Sequence, residues 1–261
     1  MIRIRGMHKS YSTGKVVTEV LRGVDLDIED GEFISVIGPS GSGKSTLLHA
    51  VGGLDSDYKG SIEVDGKDLA KLSDAELSGY RNETVGFVFQ SFYLLPHLTC
   101  MENIALPAVF KRGGELDEAA ANARAKAVLE QVDLAEKADS LPTMLSGGQR
   151  QRIAIARALF NKPKVMLCDE PTGNLDSKTG SAVIELFRTL NERDGITVII
   201  VTHDPRIAAS TPRKILVADG ALTEVDDAGD AIFRGVSEDD EPPPKEDESP
   251  SEASDQEEAG A

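Results

Sequence analysis

The chain opens on alternating apolar and charged residues, Ile2-Arg3-Ile4-Arg5, the pattern of a strand with one buried face. Over the first 35 residues the alternation is imperfect but recurs, and it predicts short strands at 2–7, 16–20 and 26–28. The segments 12–15 and 29–32 read as turns between them. Phe33-Ile34-Ser35-Val36-Ile37 is nearly continuous in apolar character, as suits a strand buried on both faces, and it runs straight into a glycine-rich loop. A helix is expected from Lys44 to about Val51, ended by Gly52-Gly53. Residues 60–69 suggest a hairpin that turns at Asp65-Gly66, and 85–89 is the next core strand.

Between 91 and about 142 the periodicity becomes helical. Helices are expected at 101–109 and 118–132, separated by Lys111-Arg112-Gly113-Gly114, and together they form a candidate helical subdomain inserted between strands. Gly147-Gly148 then opens a helix running from 149 to 160. An apolar strand at 165–168, a helix at 181–191, a buried strand at 197–201 and a small strand pair beginning at 214–218 complete the pattern. Strands alternating with helices predict an α/β core with a largely parallel sheet. Beyond Phe233 the signal stops. Residues 1–233 are therefore read as one domain, and 234–261, with three consecutive prolines and many acids, as a disordered tail.

Composition narrows the class. With 40% hydrophobic and 28% charged residues the 261-residue chain is of the soluble globular type. Its apolar runs are strand-sized, so none is expected to span a bilayer, and the N-terminus lacks the apolar core of a signal peptide. Cys100 and Cys168 make neither a disulfide framework nor a zinc site and read as small buried apolar residues. A cytoplasmic location follows as the expectation. The net charge of −17 argues against nonspecific nucleic-acid binding, although residues 237–261 alone contribute −10 of it.

The chemistry begins at Gly38-Pro39-Ser40-Gly41-Ser42-Gly43-Lys44-Ser45, which matches G-x-x-x-x-G-K-[ST]. Glycines allow successive backbone N–H groups to curl around phosphate oxygens. Lys44 brings positive charge to the terminal phosphates, and Ser45 offers a hydroxyl to Mg²⁺. The start of the following helix adds its dipole. Val165-Met166-Leu167-Cys168-Asp169-Glu170 supplies the complement: a strand-ending aspartate able to hold Mg²⁺ through water, and a neighbouring glutamate suited to orient or deprotonate an attacking water. His203 follows another strand and is a candidate γ-phosphate contact. Gln90, ending the strand 85–89, is a candidate for reaching metal or water, and Tyr11 is a candidate adenine-stacking ring. His8, His49 and His97 belong to no constellation and read as structural.

Together these segments resemble the nucleotide-binding subunit of ATP-binding-cassette transporters, over roughly residues 2–225. The resemblance identifies Walker A at 38–45, with Gly38, Ser40, Gly41, Gly43, Lys44, Ser45 and Thr46 as nucleotide-binding residues. It makes Gln90 the Q-loop glutamine and Leu145-Ser146-Gly147-Gly148-Gln149 the signature. Asp169 closes Walker B, Glu170 is the catalytic glutamate, Gly173-Asn174-Leu175-Asp176 is the D-loop and His203 the switch histidine. The implied fold is that of a P-loop NTPase: a RecA-like, mostly parallel sheet with an N-terminal antiparallel β subdomain and an inserted helical subdomain. The implied cofactors are ATP and Mg²⁺, the metal held by Ser45, Gln90 and, through water, Asp169. The implied assembly is a head-to-tail dimer with a second copy or a related subunit, in which Ser146, Gly147, Gly148 and Gln149 of one chain cap the ATP of the other. An integral membrane permease would be the further partner, which places the chain at the inner face of the membrane.

Within that family, Gly52-Gly53-Leu54-Asp55, residues 89–96, Glu102-Asn103-Ile104 and residues 169–176 are similar to cassettes of lipoprotein release, macrolide and antimicrobial-peptide export, and cell division. A division-associated ATPase and an amino-acid importer ATPase remain alternatives. A soluble cassette of DNA repair or translation fits poorly, because about 100 residues separate Ser45 from Leu145 and only one Walker A is present. Two features depart from the family pattern: Cys168 before the Walker B aspartate, and the acidic tail.

Overall fold

A computed structural model describes residues 1–14, 16–110 and 117–225. The spacer at 111–114 and the acidic tail lie outside the described residues.

Among the described residues the strands form two sheets. The first, antiparallel, contains β1 (Ile2–Thr13), β2 (Val16–Ile28), β4 (Lys59–Val64) and β5 (Lys67–Asp68) in the order β2-β1-β4-β5. The second contains β3 (Phe33–Ile37), β6 (Val85–Phe89), β7 (Val165–Asp169), β8 (Thr197–Val201), β9 (Arg213–Ala218) and β10 (Ala221–Val225), ordered β10-β9-β3-β8-β7-β6. All its neighbours pair in parallel except β10, which lies antiparallel on β9. The helices are α1 (Lys44–Val51), α2 (Asp74–Glu83), α3 (Cys100–Val109), α4 (Glu118–Gln131), α5 (Gly147–Leu159), α6 (Ser177–Asp194) and α7 (Pro205–Ala209).

The inner strands of the larger sheet, β3, β7 and β8, are buried on both faces, which explains their continuous apolar runs. Along β7, Val165 and Leu167 face one core while Met166 and Cys168 face the other; along β8, Ile199 and Val201 oppose Val198 and Ile200. One core joins the sheet to α3, α4, α5 and α6 through residues such as Ile104, Val128, Ile155 and Phe187. The other joins it to α1 and the antiparallel sheet through Leu47, Leu48, Ile4, Leu26 and Ile62. This is the P-loop, RecA-like cassette architecture, with an antiparallel β layer and added helices. Both cysteines are free and buried. No helix among the described residues is long and apolar enough to cross a membrane.

Several local expectations change. The strands expected at 16–20 and 26–28 are one strand, β2, because its pairing with β1 absorbs register shifts near Met7 and His8 instead of breaking. Helix α2 is an addition to the expected elements, although Ser73 and Glu76 form a reciprocal capping box at its start. Short α7 is a second addition. Helix α6 begins at Ser177, earlier than periodicity suggests, because Asp176 caps it.

Candidate nucleotide site

The parallel strands deliver their C-terminal ends to one edge of the sheet. Strand β3 lies between β9 and β8, so chain order reverses there and opens a crevice at that edge. The loop 38–43 leaves β3 at this point and passes into α1. Gly38 has φ 145°, and a Cβ there would lie 2.2 Å from the Val217 carbonyl oxygen of β9, so only glycine lets the loop turn against its neighbour strand. Among the described α-helices, α1 alone begins without a side-chain cap; Ser73, Thr99, Asp117, Ser146, Asp176 and Asp204 cap the others. Its leading N–H groups are thus left for an exogenous acceptor, and an anion is what the positive helix end favours.

Lys44 is buried, and its ammonium donates to the carbonyls of Gly38 and Pro39, each at 2.8 Å. Burial lowers this ammonium from its ordinary value, opposed by the charges of Glu170 and Asp169. A phosphate at this position would supply the compensating charge. Ser42 Oγ, in the same loop, is buried with no hydrogen-bond partner. Ser45 Oγ donates to Asp169 Oδ1 at 3.0 Å, bringing together two of the three expected metal-binding residues. Among the described residues no group of three or more His, Cys, Asp or Glu is disposed to hold a metal. The Ser45–Asp169 pair nevertheless suits Mg²⁺, a hard cation that takes one or two protein oxygens and completes its shell with phosphate and water.

Glu170 continues from β7 with φ 46°, an uncommon conformation for a residue with a side chain. Its N–H bonds to the Val201 carbonyl at 3.0 Å, and its Oε1 lies 2.8 Å from His203 Nδ1. The His203 side chain is otherwise 73% exposed and open to a further contact. Gln90 follows directly on the end of β6. Its amide lies 3.5 Å from Asn174 Oδ1, and its carbonyl accepts from Asn174 Nδ2 at 3.0 Å, so it joins the loop after Glu170 instead of Ser45 or Asp169. Tyr11 sits beside α1, its hydroxyl 3.5 Å from Thr46 Oγ1.

The segment 145–149 belongs to another layer. It starts α5, which packs on α3, α4, α6 and β6, whereas α1 packs on β4, β7 and β8. Ser146 Oγ accepts from the Gln149 N–H at 3.3 Å, and Gln149 Oε1 accepts from the Ser146 N–H at 3.0 Å. The Ser146 hydroxyl therefore keeps its own proton to donate. Gly148 lies against α6, where a Cβ would stand 2.3 Å from Thr179 Cγ2. Asp176 caps α6 by accepting from the Thr179 N–H at 3.0 Å and its hydroxyl at 2.6 Å.

The profile of the family described as ABC transporter matches residues 21–173. The chain belongs to the ABC transporter family. It is a P-loop cassette that binds and hydrolyses ATP. Among other family members, it is 46% identical over 222 residues to the ABC transporter ATP-binding protein YknY of Bacillus subtilis, covering 85% of this chain and 95% of that one. It is 46% identical over 224 residues to the lipoprotein-releasing system ATP-binding protein LolD of Myxococcus xanthus, covering 86% and 99%. The solved dimeric structure of the ATP-binding cassette MJ0796, in a post-hydrolysis state bound to ADP and Pi, superposes with a TM-score of 0.79 at 43% identity, covering 87% of this chain and 99% of that one. MJ0796 is a protein of Methanocaldococcus jannaschii.

Three neighbours of the site in this ABC cassette carry no role in the sequence pattern: His49, Lys9 and Asp55. His49, read as structural, has Nε2 3.9 Å from Asp169 Oδ2. Its i+4 relation to Ser45 on α1 is the available signal. Lys9 and Asp55, 46 residues apart, meet at 2.8 Å beside Tyr11, and no local pattern announces such a pair.

Proposed function

We propose that this cassette is the ATP-hydrolysing subunit of a membrane permease complex and works as a head-to-tail dimer at the inner face of the membrane. One observation carries the reading: the uncapped α1, Ser45–Asp169 and Glu170–His203 gather at one sheet edge, while Ser146 to Gln149 begin a helix in a different layer. A site that needs both is completed by a second chain.

In this reading the N–H groups of 38–46 and Lys44 bind the phosphates, with Gly38, Ser40, Gly41, Gly43 and Thr46 forming the cradle, and Tyr11 stacks on the adenine. Ser45 and Asp169 would hold Mg²⁺, which supplies charge neutralisation at the β- and γ-phosphates. Glu170 takes or orients the proton of the attacking water, and His203, anchored by Glu170, presents Nε2 to the γ-phosphate. Gln90, tied to Asn174, relays the state of the loop after Glu170 to the helical layer, where a permease would dock. The partner subunit's Ser146, Gly147 and Gly148 close over the γ-phosphate, and Asp176 holds α6 behind them. The similarity to LolD proteins of lipoprotein-releasing systems favours export, lipoprotein release or force transmission as the work done.

Glu170→Gln tests the reading. The variant should bind Mg-ATP, lose nearly all turnover and double its mass in light scattering as ATP is added. A variant that stays monomeric in saturating Mg-ATP would refute the sandwich.

A further inference from the structure

Lys9 stands where β1 calls for an apolar side chain. The inward series of this strand runs Ile2, Ile4, Met7 and then Lys9, which is only 4% exposed. An ammonium taken out of water must be paired and hydrogen-bonded. Lys9 Nζ donates to Asp55 Oδ1 at 2.8 Å and to the Asp57 carbonyl at 2.5 Å, with Asp57 Oδ2 at 3.5 Å. Burial works against the charge, but the Asp55 bond and charge outweigh it and hold the ammonium above its ordinary value.

The same ammonium lies 4.8 Å from the centroid of the Tyr11 ring, two residues along the same strand face. Asp55 is shared. Its Oδ2 accepts from the Tyr11 hydroxyl at 3.2 Å while Oδ1 accepts from Lys9. Asp55 is itself anchored to the end of α1, its N–H bonding to the His49 carbonyl at 3.3 Å. Tyr11 is thereby held by its hydroxyl edge and by one face, yet it remains 44% exposed. A core-filling tyrosine needs no such apparatus; a ring that must stay flat and accessible does.

We propose that Lys9 and Asp55 are positioning residues for the adenine platform: they clamp Tyr11 to the end of the P-loop helix, so that its open face receives the purine of the nucleotide whose phosphates occupy the loop 38–45. The proposal rests on the reading of Tyr11 as the base-stacking residue. The clamp acts on the base and leaves the phosphates alone.

Calorimetric binding of ATP and of base-free ribose 5-triphosphate to the full chain separates the two. Tyr11→Ala should weaken ATP about 5- to 100-fold, the usual worth of a stacked base, and leave ribose triphosphate unchanged. Lys9→Met and Asp55→Asn should each weaken ATP about three- to tenfold, again without affecting ribose triphosphate, because a misaligned ring keeps part of its stacking. Lys9→Arg, which keeps a cation over the ring, should recover most of the loss. Tyr11→Phe, which keeps the ring and loses the edge bond, serves as the gentlest probe should Lys9→Met not fold, and should fall between wild type and Tyr11→Ala. If Tyr11→Ala weakens ATP but Lys9→Met, Asp55→Asn and Tyr11→Phe do not, the clamp is refuted and stacking stands. If the Lys9 and Asp55 variants weaken both ligands equally, their role is to support α1, and the clamp is again refuted. If Tyr11→Ala changes neither ligand, the stacking reading falls and the clamp with it.

Discussion

Gly148 provides a sharp test of the packing that positions the segment 145–149. An alanine Cβ there would sit 2.3 Å from Thr179 Cγ2, well inside contact distance, and Thr179 has little freedom to yield. Its hydroxyl and N–H both bond to Asp176, at 2.6 and 3.0 Å, as the cap of α6. Relief requires α5 to lift or Thr179 to abandon that cap. Overpacking of this kind costs about 1–3 kcal/mol, and loss of a cap costs about 1 kcal/mol. Against these stands a helix-propensity gain of up to about 1 kcal/mol for replacing glycine by alanine. The net expectation for Gly148→Ala is a loss of about 2 kcal/mol, or about 4–8 °C in Tm for a domain of this size. Thr179→Ser removes the offending methyl and keeps the hydroxyl. In that background Gly148→Ala should be neutral or stabilising, so the effect of one substitution changes sign with the other. Urea and thermal denaturation of the four proteins, followed by circular dichroism, complete the cycle. If Gly148→Ala costs the same with and without Thr179→Ser, the contact is not the cause, and the α5–α6 account is wrong.

Other consequences are simpler to read. Asp169→Asn should preserve nucleotide binding but demand far more Mg²⁺ for turnover; an unchanged Mg²⁺ requirement would count against the Ser45–Asp169 pair. Ser146→Ala should cost about 1 kcal/mol of stability through its lost cap and suppress turnover with little change in ATP affinity, and full turnover would remove Ser146 from the chemistry. The Asp55 carboxyl is held below its ordinary value: burial would raise it, but the Lys9 and Tyr11 hydrogen bonds prevail. Its stabilising contribution is therefore fully present above the unfolded value of about 3.9 and is lost as pH falls through the lower folded value. The Tm gap between wild type and Asp55→Asn should accordingly shrink in acid below about pH 4, and a gap constant down to the acid transition would contradict the pairing. Removal of 234–261 should leave ATP turnover unaltered, since every residue assigned to the site lies between Tyr11 and His203.

Much of the candidate site's edge is legible in the sequence because its signals are local. The loop 38–45 announces itself through glycine spacing, and β7 and β8 through short apolar runs that end at Asp169 and just before His203. What stays hidden depends on pairing across distance. The length of β2 follows from register shifts against β1, which a per-residue pattern cannot express. The capping box of α2 is present as Ser73 and Glu76 but lies in a stretch of weak hydrophobic periodicity, with Leu77 and Tyr80 as its buried residues. Lys9 breaks the inward series of β1 and looks like a solvated residue until Asp55 is brought beside it. For Gln90 the place at the end of β6 is legible, whereas its partner Asn174 is brought to it by the loop after Glu170.

The central claim is that each ATP site is built from two chains, and mixing tests it most directly. Lys44→Ala disables the phosphate loop, and Ser146→Arg disables the signature segment. Each protein alone should be inactive. Combined, they form mixed dimers in which the intact loop of one chain meets the intact Ser146 of the other, and the account predicts that ATP turnover reappears in proportion to the mixed species. Turnover that stays absent while mass measurement shows mixed dimers forming, or either variant hydrolysing ATP alone at the wild-type rate, would contradict it.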